Sequence, residues 1–129
     1  MRTLRVVNRT RLTVVGSRVH VADRFWDRLR GFLGRRRPTE GEGLLIQPCA
    51  GVHMFGMRFP LDLVFLSDDA TVVHVIEALQ PWQRTSRIPG ATSVLEVPVG
   101  TLEVTGTKVG DRLGWDDPEL STPLARRSA

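Results

Sequence analysis

The stretch Leu61-Asp62-Leu63-Val64-Phe65-Leu66-Ser67-Asp68-Asp69-Ala70-Thr71-Val72-Val73-His74-Val75-Ile76-Glu77-Ala78 decides the fold class. Two strand-sized apolar runs, residues 61–66 and 71–78, flank Ser67-Asp68-Asp69-Ala70, whose polar side chains favour a turn. Runs of this length on either side of such a turn read as a β-hairpin. Alternation sends Leu61, Leu63 and Phe65 to one face and Asp62, Val64 and Leu66 to the other. On so apolar a strand Asp62 needs a partner, because burying an unpaired carboxylate is costly.

Further short strands lie outward from this hairpin. Residues 4–7 and 12–15 are apolar runs rich in valine, and residues 18–22 alternate valine with polar side chains. Gly16-Ser17 between the last two predicts a tight hairpin turn. Residues 44–47 read as a buried strand closed by Pro48, residues 93–99 as another, and residues 112–115 as the last. Residues 101–106 fit one helical turn, capped by Thr101 and stopped by Gly106, or else a strand. The period changes only once. Asp23 caps a run in which Phe25, Trp26, Leu29, Phe32 and Leu33 recur at helical spacing, and Gly34 stops it. Residues 35–43 and 80–90 read as loops, and residues 49–60 as irregular. Many short strands with one amphipathic helix near residues 23–33 predict a mostly-β sandwich or barrel.

Composition sets the outer limits. A chain of 129 residues, 41% hydrophobic and 25% charged, suits one globular domain, here expected over residues 1–115 with a flexible polar tail over 116–129. No apolar run is long enough to span a membrane, and the arginine-studded N-terminus has no secretory h-region. A single cysteine, Cys49, precludes an internal disulfide, so a reducing cytoplasm is the expected location. Charge is uneven: residues 1–37 hold eleven arginines against Asp23 and Asp27, while residues 38–129 hold seven basic and twelve acidic residues. A basic first third suits an adaptor that docks an acidic partner, or else the two halves pair within one fold. No nucleic-acid motif accompanies the charge, so nucleic acid is not the expected partner. The chain is expected to be a monomer or weak dimer.

The order of segments resembles the bacterial and archaeal domain of unknown function 192 family (DUF192). The matching pieces are Arg30-Gly31-Phe32-Leu33 with Arg35, Gly43-Leu44-Leu45-Ile46, and the block from His53 to Leu66, HMFGMRFPLDLVFL. Pro81-Trp82, Val94-Leu95-Glu96, Gly100-Thr101 and Val109-Gly110-Asp111 follow in the family's order, so the likeness spans about residues 18–115. The resemblance implies a jelly-roll-like β-sandwich with a small helix, and it implies no activity, substrate or cofactor. Many relatives carry a secretion or lipoprotein signal, which this sequence is not expected to have.

The residues able to carry chemistry concentrate between Cys49 and Asp62. Cys49, His53 and Met57 recur every four residues and are ligands that copper or zinc would accept. A cupredoxin-like site needs a second histidine, for which only His20 and His74 are available. The alternative is that Met54, Phe55 and Met57 pack in the core while His53 bonds a carbonyl. Cys49, His53 and Asp62 also form a candidate set for a hydrolase or transferase, in which the imidazole activates the thiol. Asp62 and Glu96 pose a third question. Arg58 or Arg30 could pair with Asp62 structurally, or His53, Arg58, Asp62 and Glu96 could line one pocket for a small polar ligand. Trp82 is either a platform for that ligand or a lid over the core edge. The sequence reading favours a ligand-binding or interaction module without catalysis and without a cofactor, its site formed by His53, Met57, Arg58, Asp62, Trp82 and Glu96.

Overall fold

A computed structural model of the chain describes residues 2–22, 37–48, 50–51 and 58–116. The central hairpin forms as read: β4 (Leu61–Leu66) pairs antiparallel with β5 (Val72–Leu79). Its turn closes through Ala70 N–H to Ser67 O (2.9 Å) and Ser67 N–H to Thr71 O (3.0 Å), and the Ser67 hydroxyl donates to Asp69 at 2.6 Å. The other strands are β1 (Arg2–Asn8), β2 (Thr13–Ala22), β3 (Glu42–Ile46), β6 (Ser93–Val97) and β7 (Leu113–Asp116). The only described helix is α1 (Thr101–Thr105). The amphipathic helix expected at residues 23–33 lies outside the described residues.

All seven strands belong to one sheet, in the order β5-β4-β6-β3-β2-β1-β7, with β2 and β3 parallel and every other pair antiparallel. The protein is therefore mostly β, as expected, but its strands form a single curled half-barrel rather than two separate sheets. The curl brings the ends of the sheet together. Thr71 bridges Arg112, while Val72 N–H donates to Asp111 O and Gly110 N–H to Val72 O, both at 2.8 Å.

The two faces of the sheet carry separate apolar clusters. One draws residues from all seven strands, including Val6, Val19, Leu45, Val64, Val72, Leu95 and Leu113, with Leu102 from α1. A cluster fed by every strand fills the inside of the curl. The other cluster, Leu44, Ile46, Leu61, Leu63, Phe65 and Val94 with Phe59 and Ile88, lies on the outer face of β3, β4 and β6. These three strands are consequently buried along their whole length. At about 25 cal/mol per Å² of apolar area, burial on two faces makes them the most stabilised part of the sheet.

Two local readings are corrected. Gly16-Ser17 is not a turn: β2 runs unbroken through it for ten residues. The hairpin turn is at residues 9–12, where Leu12 adopts φ 61° and its N–H donates to Asn8 O at 2.8 Å. Gly16 instead sits where the β1–β2 register shifts, between the pairs Leu4↔Val19 and Val6↔Gly16. A bulge of this kind accommodates an extra residue and bends the strand. A Cβ there would meet Val19 Cγ2 at 2.6 Å, so the close approach requires glycine. Of the two alternatives for residues 101–106, the helical turn forms over Thr101–Thr105 and is stopped by Gly106 at φ 72°, but Thr101 is not its cap.

Candidate functional site

Asp62 is the actual cap of α1. One carboxylate oxygen accepts Gly100 N–H and Leu102 N–H, each at 3.1 Å, and the other accepts Ala78 N–H at 2.9 Å. Ala78 stands at φ 51°, beside the register shift between Leu61 and Leu63. One buried carboxylate thus ties an irregular point of β5 to the start of a helix 40 residues further along the chain. Its expected partner is corrected: main-chain N–H groups satisfy it, not Arg58, which is exposed. Arg30 lies outside the described residues. With three acceptor positions occupied, Asp62 has little capacity left to orient an imidazole.

Glu96 presents the opposite case. Its strand neighbours are Leu44 on β3 and Leu63 on β4, which places it on the outer apolar face. It is 5% exposed and finds no hydrogen bond or ion pair among the described residues. Burial pushes its carboxyl up to about 7. Asp62 pairs with Val97 and Leu63 with Glu96, so successive positions turn the two acids to opposite faces. The single pocket shared by Asp62 and Glu96 does not form.

The remaining candidates separate as well. Cys49, His53 and Met57 lie outside the described residues. Among the described residues no group of three or more His, Cys, Asp or Glu side chains is placed to hold a metal ion. His20 Nε2 lies 3.8 Å from the buried Glu42 carboxylate, and His74 tilts against Phe65 at a 5.6 Å ring separation. Trp82 stands 79% exposed, so it does not cover the core edge.

One cleft among the described residues is absent from the sequence reading. β3 pairs with β2 only from Arg18 onward, and Arg18 N–H to Gly41 O (2.8 Å) marks where the pairing begins. Residues 13–17 of β2 pair with β1 alone. Across the resulting gap stand the β6–α1 connection and α1 itself, held to β2 where the Thr13 hydroxyl donates to Thr105 O at 2.9 Å. The gap has a volume of about 690 Å³ and is lined by Val14–Ser17, Glu40, Gly41, Pro98–Thr101, Val104 and Thr105. Val14, Val99 and Val104 are 46, 47 and 84% exposed, giving the cleft an apolar rim. Glu40 is its one ionisable lining residue. No local motif announces this site, since it exists only because two paired strands differ in length.

The comparisons with known proteins agree with this architecture. The profile of the DUF192 family, described as "Uncharacterized ACR", matches residues 6–115. A UPF0127 protein of Thermococcus sibiricus is 32% identical over 120 residues, covering 88% of this chain and 76% of the relative. One from Pyrococcus abyssi is 33% identical over 116 residues, covering 85% and 96%. Among solved structures, a "putative transcription regulator" of Sinorhizobium meliloti superposes with a TM-score of 0.73 at 27% identity, covering 88% of this chain and 92% of that one. A protein of unknown function from Novosphingobium aromaticivorans gives 0.71 at 21% identity, covering 88% and 84%. No helix among the described residues is long and apolar enough to cross a membrane. With most of its length matched and its β architecture shared, this chain belongs to the DUF192 family.

Proposed function

We propose that the protein is a binding module that works without catalysis, and that its recognition site is the cleft between the first half of β2 and the β6–α1 connection. The observation that carries this reading is the cleft itself: about 690 Å³ of open space, with exposed valines on its rim and a stretch of β2 that pairs with β1 alone along one wall. Apolar walls with a few polar groups are what ligand sites provide. The test is a fragment screen followed by amide chemical shifts. Hits should perturb residues 14–17 and 98–105 together, and Val104→Trp should abolish them by filling the space. Hits that scatter over the surface, or that survive Val104→Trp unchanged, would overturn the assignment.

A second reading keeps the site on the outer face, where Glu96 is a buried carboxyl without a partner among the described residues. A small polar ligand recognised there by Glu96, with Arg58, Trp82 and the segment carrying His53 and Met57, would supply the missing bond. A Cys49/His53 enzyme or a Cys49/His53/Met57 metal site would occupy that same segment. Copper or zinc titration and thiol labelling of Cys49 separate these: stoichiometric metal uptake or fast labelling favours chemistry, and neither favours ligand recognition. We further infer a single jelly-roll-like domain over residues 1–115 and a cytoplasmic monomer or weak dimer; the one cysteine supports that location.

A further inference from the structure

We propose that the protein carries a second binding site, at one open end of the curled sheet, and that this site takes a neutral sugar. It is separate from the cleft beside β2. That cleft meets β3 and β6 at Gly41 and Pro98, whereas the second site meets the same two strands at their other ends, at Gln47 and Thr92.

The run of the strands builds it. β3 leads into Gln47 and Pro48, β4 into the Ser67-Asp68 turn, β6 begins just after Thr92, and β7 carries Trp115. These ends surround a depression of about 420 Å³, a size that small-molecule sites commonly have. Ser93 and Trp115 stand two positions from Leu95 and Leu113 on their strands, so both lie on the inner face, at the end of its apolar cluster.

The lining holds hydrogen-bonding capacity that the fold does not use. Ser93 is 5% exposed, yet its hydroxyl has no partner among the described residues, and a buried polar group in that state is uncommon. The Gln47 amide, the Asp68 carboxylate and the Trp115 indole N–H are likewise unengaged among the described residues. Asp69, next to Asp68, is already held by the Ser67 hydroxyl at 2.6 Å and by Arg112 at 3.6 Å.

These four groups select the ligand. Ser93 and Gln47 can donate and accept, Asp68 accepts only, and the indole donates only. Hydroxyl groups do both, so a ring carrying several can serve all four. A quaternary ammonium ion could rest on the indole but would leave every one of these hydrogen bonds unmade. An anion would be opposed by Asp68. The apolar face of a pyranose ring suits the Trp115 indole and the Pro48 ring beside it.

The probes are the methyl glycosides of glucose, galactose and mannose, the glucuronate analogue, and choline. Each is titrated into the full chain and followed by amide and indole N–H shifts. At least one neutral glycoside should move residues 47, 67–68, 92–93 and 115 at millimolar concentration. Ser93→Ala removes a hydroxyl that the fold leaves idle, so thermal stability should hold or rise while the glycoside binds about three- to tenfold more weakly. Asp68→Asn, at an exposed turn position where asparagine is also at home, should narrow the preference for glucoside over glucuronate. A Ser93→Ala protein that loses stability but keeps its glycoside affinity would show the hydroxyl to be structural and overturn the site. Choline moving these residues while every glycoside fails would make it a cation site and overturn the sugar. Glycoside shifts confined to residues 14–17 and 98–105 would leave the cleft as the recognition site and sink the second one, as would silence from all five probes.

Discussion

Glu96 shows what burial does to one carboxyl. Its position is set by strand pairing, between Leu44 and Leu63, and the surroundings offer no donor among the described residues. Desolvation then favours the neutral acid and raises the carboxyl from an ordinary value near 4.5 to about 7. The consequence for stability has a definite sign. Below pH 4.5 the acid is protonated in both folded and unfolded chains and imposes no pH dependence. Between 4.5 and 7 only the folded chain holds the proton, so stability falls as pH rises, and above 7 the loss is complete. The full loss is on the order of 3 kcal/mol. Glu96→Gln should remove this slope. Urea midpoints at pH 5 and pH 8 will check it: the wild-type difference should shrink in the variant, and an unchanged difference would assign the slope elsewhere.

At the scale of elements, α1 depends on a residue far from it in the chain. A five-residue helix is too short to sustain itself and needs its first N–H groups satisfied. Asp62 does this from β4 while also holding Ala78 N–H. Asp62→Asn replaces one oxygen by a donor, which must then face a main-chain N–H whichever way the amide turns. The expected cost is about 2–4 kcal/mol. Amides of residues 100–105 should lose hydrogen-exchange protection ahead of β6. Loss confined to β5, with α1 protected, would contradict the capping role. Sequence reading offered a helical turn stopped by Gly106 as one of two alternatives, because these are local features, and the structure chose it over a strand. It assigned the cap to Thr101 because a cap arriving from another strand leaves no local trace. The Gly16-Ser17 misreading has a similar origin: turn-forming residues also serve a bulge, and only β1 decides between the two.

For the whole molecule, the decisive contact is the seam where the curled sheet meets itself. Asn8, fully buried, accepts Thr10 N–H and Arg11 N–H at 3.0 and 2.9 Å and donates to Thr107 Oγ1 and Asp111 Oδ2 at 3.1 and 3.0 Å. Burial opposes ionisation of Asp111, but hydrogen bonds from Arg11, Asn8 and Lys108 N–H outweigh it and hold that carboxyl below its ordinary value. Asp111 therefore stabilises the fold at neutral pH, and its contribution is lost as pH falls through that lowered value. Asn8→Ala removes four hydrogen bonds at once, two of them buried, and should cost about 3 kcal/mol. Exchange should quicken first at residues 70–72 and 110–113, with β3, β4 and β6 opening last. Uniform quickening across the sheet would show that the seam is not a separate point of weakness.

The sequence by itself determined the β class, the central hairpin, the opposite faces of Asp62 and Val64 against Leu63 and Phe65, and the family, because alternation and motif order are written in neighbouring residues. Only the tertiary structure decided that the strands form one curled sheet, that Asp62 caps a helix while Glu96 finds no partner among the described residues on the far face, and that a cleft opens beside β2. The physical reason is that strand partners, and the points where their pairing stops, are chosen by contacts between residues far apart in the chain.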